Sequence, residues 1–571
     1  MLRAIAQDMP SNDRFDFAQS VGYDLVKSWW AASCAAGFTS LSLRRPQKLR
    51  AGSKLDAPIE SIVESMGALS AHLEPEIAAY QIGLTYTYLL PPSYRSSHGI
   101  FYTPPVLTDR LIDLSAETGV DWATCRVLDP ACGGGAFLAP IAKHIIAQLP
   151  ECSPRILLES IANRLRGYEL DPFGAWLAQV ALDVVLLPFA ALAGKKTPNL
   201  VTVCDSLQRN PPRDRYDLVI GNPPYRRVQL SPELRDKFKR GLFGHANLYG
   251  VFTDIALRHT RVGGVIAFVT PTSFLAGEYF KNLRGLLGSE APPQHLDFVS
   301  ARKGVFDDVL QETILATYRR GDEPATTEVK ELHVTSKADH DLASLGAFSL
   351  PADPSSPWIL PRTTKQAMIV KRLQSCKHHL VDWGYTVSTG PLVWNRFKEQ
   401  LHSRKAKNRL PLIWAESVQT DGRFEWRATK RNHQPWFEIR DGDQWLIAKH
   451  HCVLLQRTTA KEQHRRLIAA PLPSEFIEKH GAVVIENHLN MLKPLGTNPA
   501  VSAEVLSAFL NSSAADQAFR CVSGSVAVSA YEVEALPLPS PNALDVLQRL
   551  IDNKTDNATI ESECLRLYRE A

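Results

Sequence analysis

From Ile100 to about Arg320 the chain alternates short apolar, β-rich runs with helix-like stretches, and this rhythm constrains the fold more than any other feature. RVLDPA leads into AFLAPIAKHIIAQL, RLRGYEL into AWLAQVALDVVLL, and LVTVCD and YDLVIGNPPY into YGVFTDIALRH, GVIAFVT, HLDFVS and ETILATY. Strand, helix, strand in this order specifies a mostly parallel sheet covered by helices on both faces. Ligands of such sheets bind at the carboxyl ends of the strands. Residues 96–320 are therefore expected to form a Rossmann-like α/β domain.

The flanking segments read differently. Residues 1–95 show helical periodicity in VGYDLVKSWWAASCAAGF and IESIVESMGALSAHL, and predict a helical N-terminal extension that ends at the turn-rich Pro91–Gly99. Residues 321–360 cluster Asp, Pro, Ser and Thr and are expected to be a linker, although KELHVTS can form an edge strand. Residues 361–571, rich in Trp, Arg and short β-like runs, predict a mixed α+β domain closed by a C-terminal helix.

Composition narrows the setting. The apolar stretch Ala175–Ala193 is interrupted by Gln179, Asp183 and Pro188, so no membrane span is expected, and MLRAIAQDMP lacks a signal-peptide core. Nine cysteines without a CxxC pair suit reduced thiols of a cytoplasmic protein and predict no metal site. Charge is uneven: Lys and Arg outnumber Asp and Glu by 21 to 9 between Pro361 and Ala470, in a chain whose total is only +4. A nucleic-acid-facing part would produce this asymmetry, and so would a solvated basic face.

VLDPACGGGAF places Asp129 at the end of an apolar run, ahead of Gly133, Gly134 and Gly135 and a helix. Glycines let backbone turn sharply and approach a ligand. Two more acids close the next strands, Glu169 where a carboxylate can accept ribose hydroxyls and Asp205 where one can accept an adenine amine. Each alone also suits the N-cap of a following helix. A dinucleotide site places its ribose acid about 20 residues after the glycines. Glu169 lies well beyond that and is joined by a third acid, so the set favours S-adenosylmethionine.

YDLVIGNPPY ends a strand with Asn222, Pro223, Pro224 and Tyr225, the most specific signal in the chain. The motif suits an exocyclic aromatic amine, whose lone pair is delocalised into its ring. If the Asn222 side-chain oxygen and the Pro223 carbonyl accept the amine hydrogens, the nitrogen becomes pyramidal and its lone pair can face a methyl group. Positioning of this kind contributes up to roughly 7–11 kcal/mol. Tyr225 offers a flat surface for a base flipped out of a duplex.

On these motifs and their order, the sequence resembles the γ-type DNA adenine-N6 methyltransferases of type II restriction–modification systems, from about Gly99 to Arg320. The resemblance implies an S-adenosylmethionine-dependent catalytic domain followed by a target-recognition domain. It further implies that Thr103 in FYTPPVLTDRL contacts the methionine part of the cofactor, with Asp129, Ala131 and Gly133 in the first glycine-rich motif, Glu169 on the ribose, Asp205 on the adenine amine and Phe252 of NLYGVF against the adenine. Phe306 of KGVFDDVLQETILATY matches an aromatic that packs on the flipped base. Thr103 equally suits a helix cap, and Phe252 and Phe306 equally suit core packing.

Past residue 361, VSTGPLVWNRF, VLLQRTTA, VIENHLNMLKP and AYEVEALPLPSP resemble landmarks of the family's target-recognition domains. Arg396, Arg404, Lys405, Lys407, Arg409, Arg427, Lys430, Arg431, Arg457, Arg465 and Arg466 are candidates for DNA contact, mostly to phosphate. Trp394, Trp414, Trp426 and Trp436 are expected in the core. Expected partners are double-stranded DNA and a separate cognate endonuclease, with the chain acting as monomer or dimer. Asp322 with Glu328 and Lys330 is too tightly spaced for a fused nuclease. Alternatives are a subunit of a multi-subunit restriction system, or an RNA or protein-glutamine methyltransferase, since NPPY also serves those acceptors.

Overall fold

Apolar alternation in the middle of the chain condenses into one sheet, seen in the computed structural model, which describes residues 1–37, 41–47, 55–98, 102–301, 312–323, 325–336, 339–458, 465–523 and 527–570. Contacts divide the chain into unit 1, Met1–Thr272 with Asn282–Ser355, and unit 2, Ser273–Lys281 with Ser356–Ala571.

The strands of unit 1 are β1 (Val127–Asp129), β2 (Leu165–Glu169), β3 (Val201–Val203), β4 (Tyr216–Gly221), the short pair β5 (Arg227–Val228) and β6 (Ala246–Asn247), then β7 (Thr260–Pro271), β8 (Pro293–Ala301), β9 (Thr313–Arg319), β10 (Thr326–Val334) and β11 (His340–Ser349). Nine of them form a sheet in the order β11-β10-β8-β9-β7-β4-β1-β2-β3, while β5 and β6 pair separately. From β7 to β3 every pairing is parallel, and β9 runs antiparallel between β7 and β8. The chain steps outward from β1 to β2 and β3, then returns to the other side of β1 as β4. Connections leaving β1 and β4 therefore diverge, which opens a crevice at their carboxyl ends.

The helices before β1 are α1 (Leu2–Gln7), α2 (Ser11–Ala36), α3 (Ala57–Ser70), α4 (Pro75–Leu89), α5 (Pro92–His98) and α6 (Pro105–Glu117). They do not form a detached extension. Trp29 and Tyr86 share one buried cluster with Phe173 and Trp176 of the later helix Pro172–Ala193, and the Tyr86 and Phe173 ring centroids lie 4.0 Å apart. Burying each such side chain contributes roughly 1.5–3 kcal/mol, so the N-terminal helices complete the core of unit 1.

Helix Pro172–Ala193 is the one described helix long and apolar enough to cross a membrane, with a mean hydropathy of 1.9. The three expected breaks do not interrupt it. Gln179 and Asp183 are buried staples: Gln179 Oε1 accepts from the backbone of Leu200 and Val201, and Asp183 accepts from Arg44 and Gln179. With 67% of its apolar window buried, it is a core helix. Asp171 caps its start by accepting from Gly174 N at 2.8 Å, with Pro172 in the first turn, and Gly194 ends it at φ +58°.

The linker expected over 321–360 is a correction. Residues Glu328–Val334 pair in parallel with β8, and His340–Ser349 closes the sheet edge. Val329 and Leu332 are buried, which outweighs the turn-like composition around them. KELHVTS thus belongs to the penultimate strand, and the contact boundary falls at Ser355.

Unit 2 holds a four-stranded sheet in the order Tyr385–Thr389, Leu489–Pro494, Val453–Gln456 and Ala469–Pro471, and a five-stranded sheet built around Arg409–Ile413 and Trp436–Glu438. Trp383, Trp414 and Trp436 are buried in it. Helices Ala503–Leu510, Ser513–Val522 and Asn557–Glu570 complete its α+β composition.

Candidate active site

The parallel register brings the acid ends of β1, β2 and β3 and the motif after β4 to the same edge of the sheet. A cavity of about 270 Å³ lies there, lined by Ala131 and Gly133 of the glycine turn, Glu169, Asp205, Asn222, Pro224 and Phe252. Gly133 takes φ +51°, and a Cβ there would meet nothing within 4 Å, so its missing side chain leaves open space in the turn. Gly135 takes φ +85° and lies against the helix after β2, where a Cβ would sit 2.9 Å from Ala178 Cα.

The three acids differ in their work. Asp129 is fully buried beneath the cavity and does not line it; Oδ1 accepts from Ala131 N at 3.0 Å and so shapes the turn. Burial, with the nearby Glu169, pushes its carboxyl well above the usual range. A Cβ on Gly221 would stand 2.8 Å from Asp129 Oδ1, which explains the glycine at the end of β4. Glu169 accepts from Gly133 N through Oε2 and from Leu170 N and Asp171 N through Oε1, each at 2.8 Å. Burial, reinforced by the charge of Asp171, pushes its carboxyl up to about 7 against the pull of those N–H donors. A carboxylate offers about four acceptor sites, so Glu169 keeps capacity for a ligand hydroxyl. Asp205 accepts from Leu207 N at 2.9 Å as the cap of a short turn, and also faces the cavity.

Asn222 is half-buried and held at both ends of its amide. Nδ2 donates to Thr103 Oγ1 at 3.1 Å, and the Tyr225 hydroxyl lies 2.6 Å from Oδ1 and 2.9 Å from the Val269 carbonyl. The Tyr225 ring meets Tyr249 edge-on, centroids 6.1 Å apart, and burial keeps its phenol protonated well above the ordinary range.

Seven of the expected cofactor and catalytic residues therefore share one cavity. Thr103, Asp129, Pro223 and Tyr225 do not line it: Thr103 is buried with its hydroxyl on Asn222, and Pro223 is buried beside it. Phe306 lies outside the described residues. Sequence reasoning missed Tyr102, Asp171, Leu207, Arg226 and Leu234 as lining residues. Only Asp171 had a usable signal, the Asp-Pro pair that opens a helix. The described residues contain no cluster of metal-binding side chains.

Candidate DNA contacts of unit 2 separate into two groups. Arg396, Arg404, Lys405, Lys407, Lys430 and Arg431 are exposed, and the Lys405 ammonium stands 5.8 Å from the Trp436 ring centroid. Arg409, Arg427, Arg457 and Arg465 are engaged within the unit: Arg409 donates to Arg404 O at 3.0 Å, Arg427 to Gln419 Oε1 at 2.7 Å, Arg457 to Asn487 O at 3.3 Å, and Arg465 to Asn511 O. Arg466 is buried.

Residues 199–306 match the Eco57I restriction-modification methylase family. Over 476 residues, 81% of this chain and 92% of the relative, the sequence is 24% identical to the type II methyltransferase M.BsuBI of Bacillus subtilis. The chain is a DNA methyltransferase, similar over most of its length to a methyltransferase of the type II kind. The type II methyltransferase M.PstI of Providencia stuartii is 27% identical over 349 residues, 59% of this chain and 68% of the relative. The type IIL restriction-modification enzyme MmeI in complex with DNA shares the fold, with a TM-score of 0.53 over 92% of this chain and 82% of that one at 12% identity. The methyltransferase's fold is α/β, and its methyl donor is S-adenosylmethionine.

Proposed function

We propose that this methyltransferase acts on the N6 amine of adenine in double-stranded DNA, at a sequence read by unit 2, with a separate endonuclease as its counterpart in the cytoplasm. The observation that carries the proposal is Asn222 lining the same cavity as Glu169 and Asp205. The donor set fits the cofactor: Glu169 has acceptor capacity for a ribose hydroxyl, Asp205 faces the cavity for the adenine amine, and Phe252 and Leu207 supply apolar wall. When bound, S-adenosylmethionine supplies an electrophilic methyl on a sulfonium sulfur.

The chain's own residues then do the rest. Asn222 Oδ1 and the Pro223 carbonyl accept the two hydrogens of the target amine and turn its lone pair toward the methyl, so that positioning replaces a strong base. Tyr225 supplies the face on which the extruded base rests. Exposed Arg396, Arg404, Lys405, Lys407 and Arg431 neutralise phosphate and set the register.

The test is modification mapping. DNA from cells producing the chain, sequenced with detection of N6-methyladenine, is expected to carry the mark at one short sequence. Purified protein given plasmid DNA, bulk RNA and a release-factor-like protein is expected to label the plasmid. Labelling of RNA or protein in preference, or a mark on cytosine, would overturn the substrate assignment.

A further inference from the structure

An asparagine that must accept hydrogens from an incoming amine has to present its oxygen and keep its NH2 turned away, because a donor facing a donor repels. Side-chain amides are nearly symmetric in shape, so this polarity is imposed by neighbours. Among the described residues two side chains hydrogen-bond to the Asn222 amide, and they are unlike. Thr103, 4% exposed and immediately before the helix Pro105–Glu117, takes Nδ2 at 3.1 Å. Tyr225 approaches Oδ1 at 2.6 Å but has a second acceptor, the Val269 carbonyl of β7, at 2.9 Å. A phenol carries one hydrogen, so it can serve either oxygen but not both.

We infer that Thr103 is the principal hold on Asn222, a positioning residue on the target-amine side of the site, because the single Tyr225 hydrogen is divided between two acceptors while Oδ1 keeps a lone pair for the target amine. The inference rests on the adenine-methylating role proposed above and deepens it. It departs from the role that the family resemblance implies for Thr103, contact with the methionine part of the cofactor. The geometry separates the two, since Thr103 does not line the cavity and its hydroxyl faces the amide.

The experiment uses the full chain and a plasmid that the wild type methylates, so that failure of the proposed function appears first, as absence of wild-type methylation. Cofactor Kd is measured by calorimetry without DNA, and kcat and KM for DNA by methyl incorporation. T103V is expected to lower kcat about 10–30-fold with cofactor Kd within about twofold of wild type, and T103S, which restores the hydroxyl, to recover kcat to within about threefold. A T103V defect confined to cofactor Kd, or no recovery in T103S, would overturn the assignment of Thr103.

Discussion

The cavity of unit 1 and the basic surface of unit 2 were both expected from residue types, yet the structure treats them differently. In unit 1 the sheet gathers residues far apart in sequence: Ala131, Glu169, Asp205 and Asn222 meet because each stands at the carboxyl end of a parallel strand, and parallel register leaves little freedom in where those ends fall. In unit 2 no such rule applies, and cations of equal promise divide into exposed side chains and side chains spent on local carbonyls, amides and carboxylates. A motif tied to strand ends carries position as well as chemistry. A count of arginines carries only charge.

The sharpest test of the contrast is N222A, which removes an acceptor that only the gathered site can use. A loss of about a thousandfold in kcat is expected, with cofactor Kd unchanged by calorimetry. Comparable turnover in that variant would show that gathering the strand ends does not make the site.

Next in size is replacement of the exposed turn, R404A/K405A/K407A. DNA affinity is expected to fall about a hundredfold at 0.1 M salt, and the slope of log K against log salt to flatten by about 0.9 for each phosphate lost. Methylation of saturating DNA should be far less affected than binding.

Glu169 gives a smaller and pH-dependent effect. Its ionised form accepts donors, and its carboxyl is pushed up to about 7, so cofactor binding is expected to weaken as pH falls through 7. Kd should rise about tenfold between pH 8 and pH 6. The E169Q profile should be flat over that range. Folding carries the opposite sign: between the ordinary carboxylate range and about 7 the folded chain holds this proton more tightly than the unfolded one, so the contribution of Glu169 to stability is lost as pH rises through that window.

The smallest effect is expected from R427A, in which a hydrogen bond to Gln419 at 2.7 Å disappears. Tm should drop by about 2 °C while the salt slope of DNA binding stays that of the wild type. A flattened slope would move Arg427 into the group of exposed cations and erase the division drawn here.

Much of unit 1 was legible because its signals are local. Apolar runs ending in Asp129, Glu169 and Asp205 mark strand ends, and Asn222–Tyr225 is specific in itself. What stayed hidden depended on neighbours from elsewhere in the chain. Thr326–Val334 lies among turn-forming residues, and it became a strand because β8 offered a parallel partner and a buried face. Trp29 and Tyr86 gave no hint that their helices finish the same core as Phe173.

Sequence by itself determined the sheet-and-helix order, the acids and the asparagine at strand ends, and the glycine turn between them, because each is written in short-range pattern and residue chemistry. Tertiary structure alone decided that Thr103 faces an amide, that Asp129 lies under the cavity, and which arginines remain at the surface. Those outcomes depend on which groups lie within about 3 Å of one another, a distance that spacing along the chain does not encode.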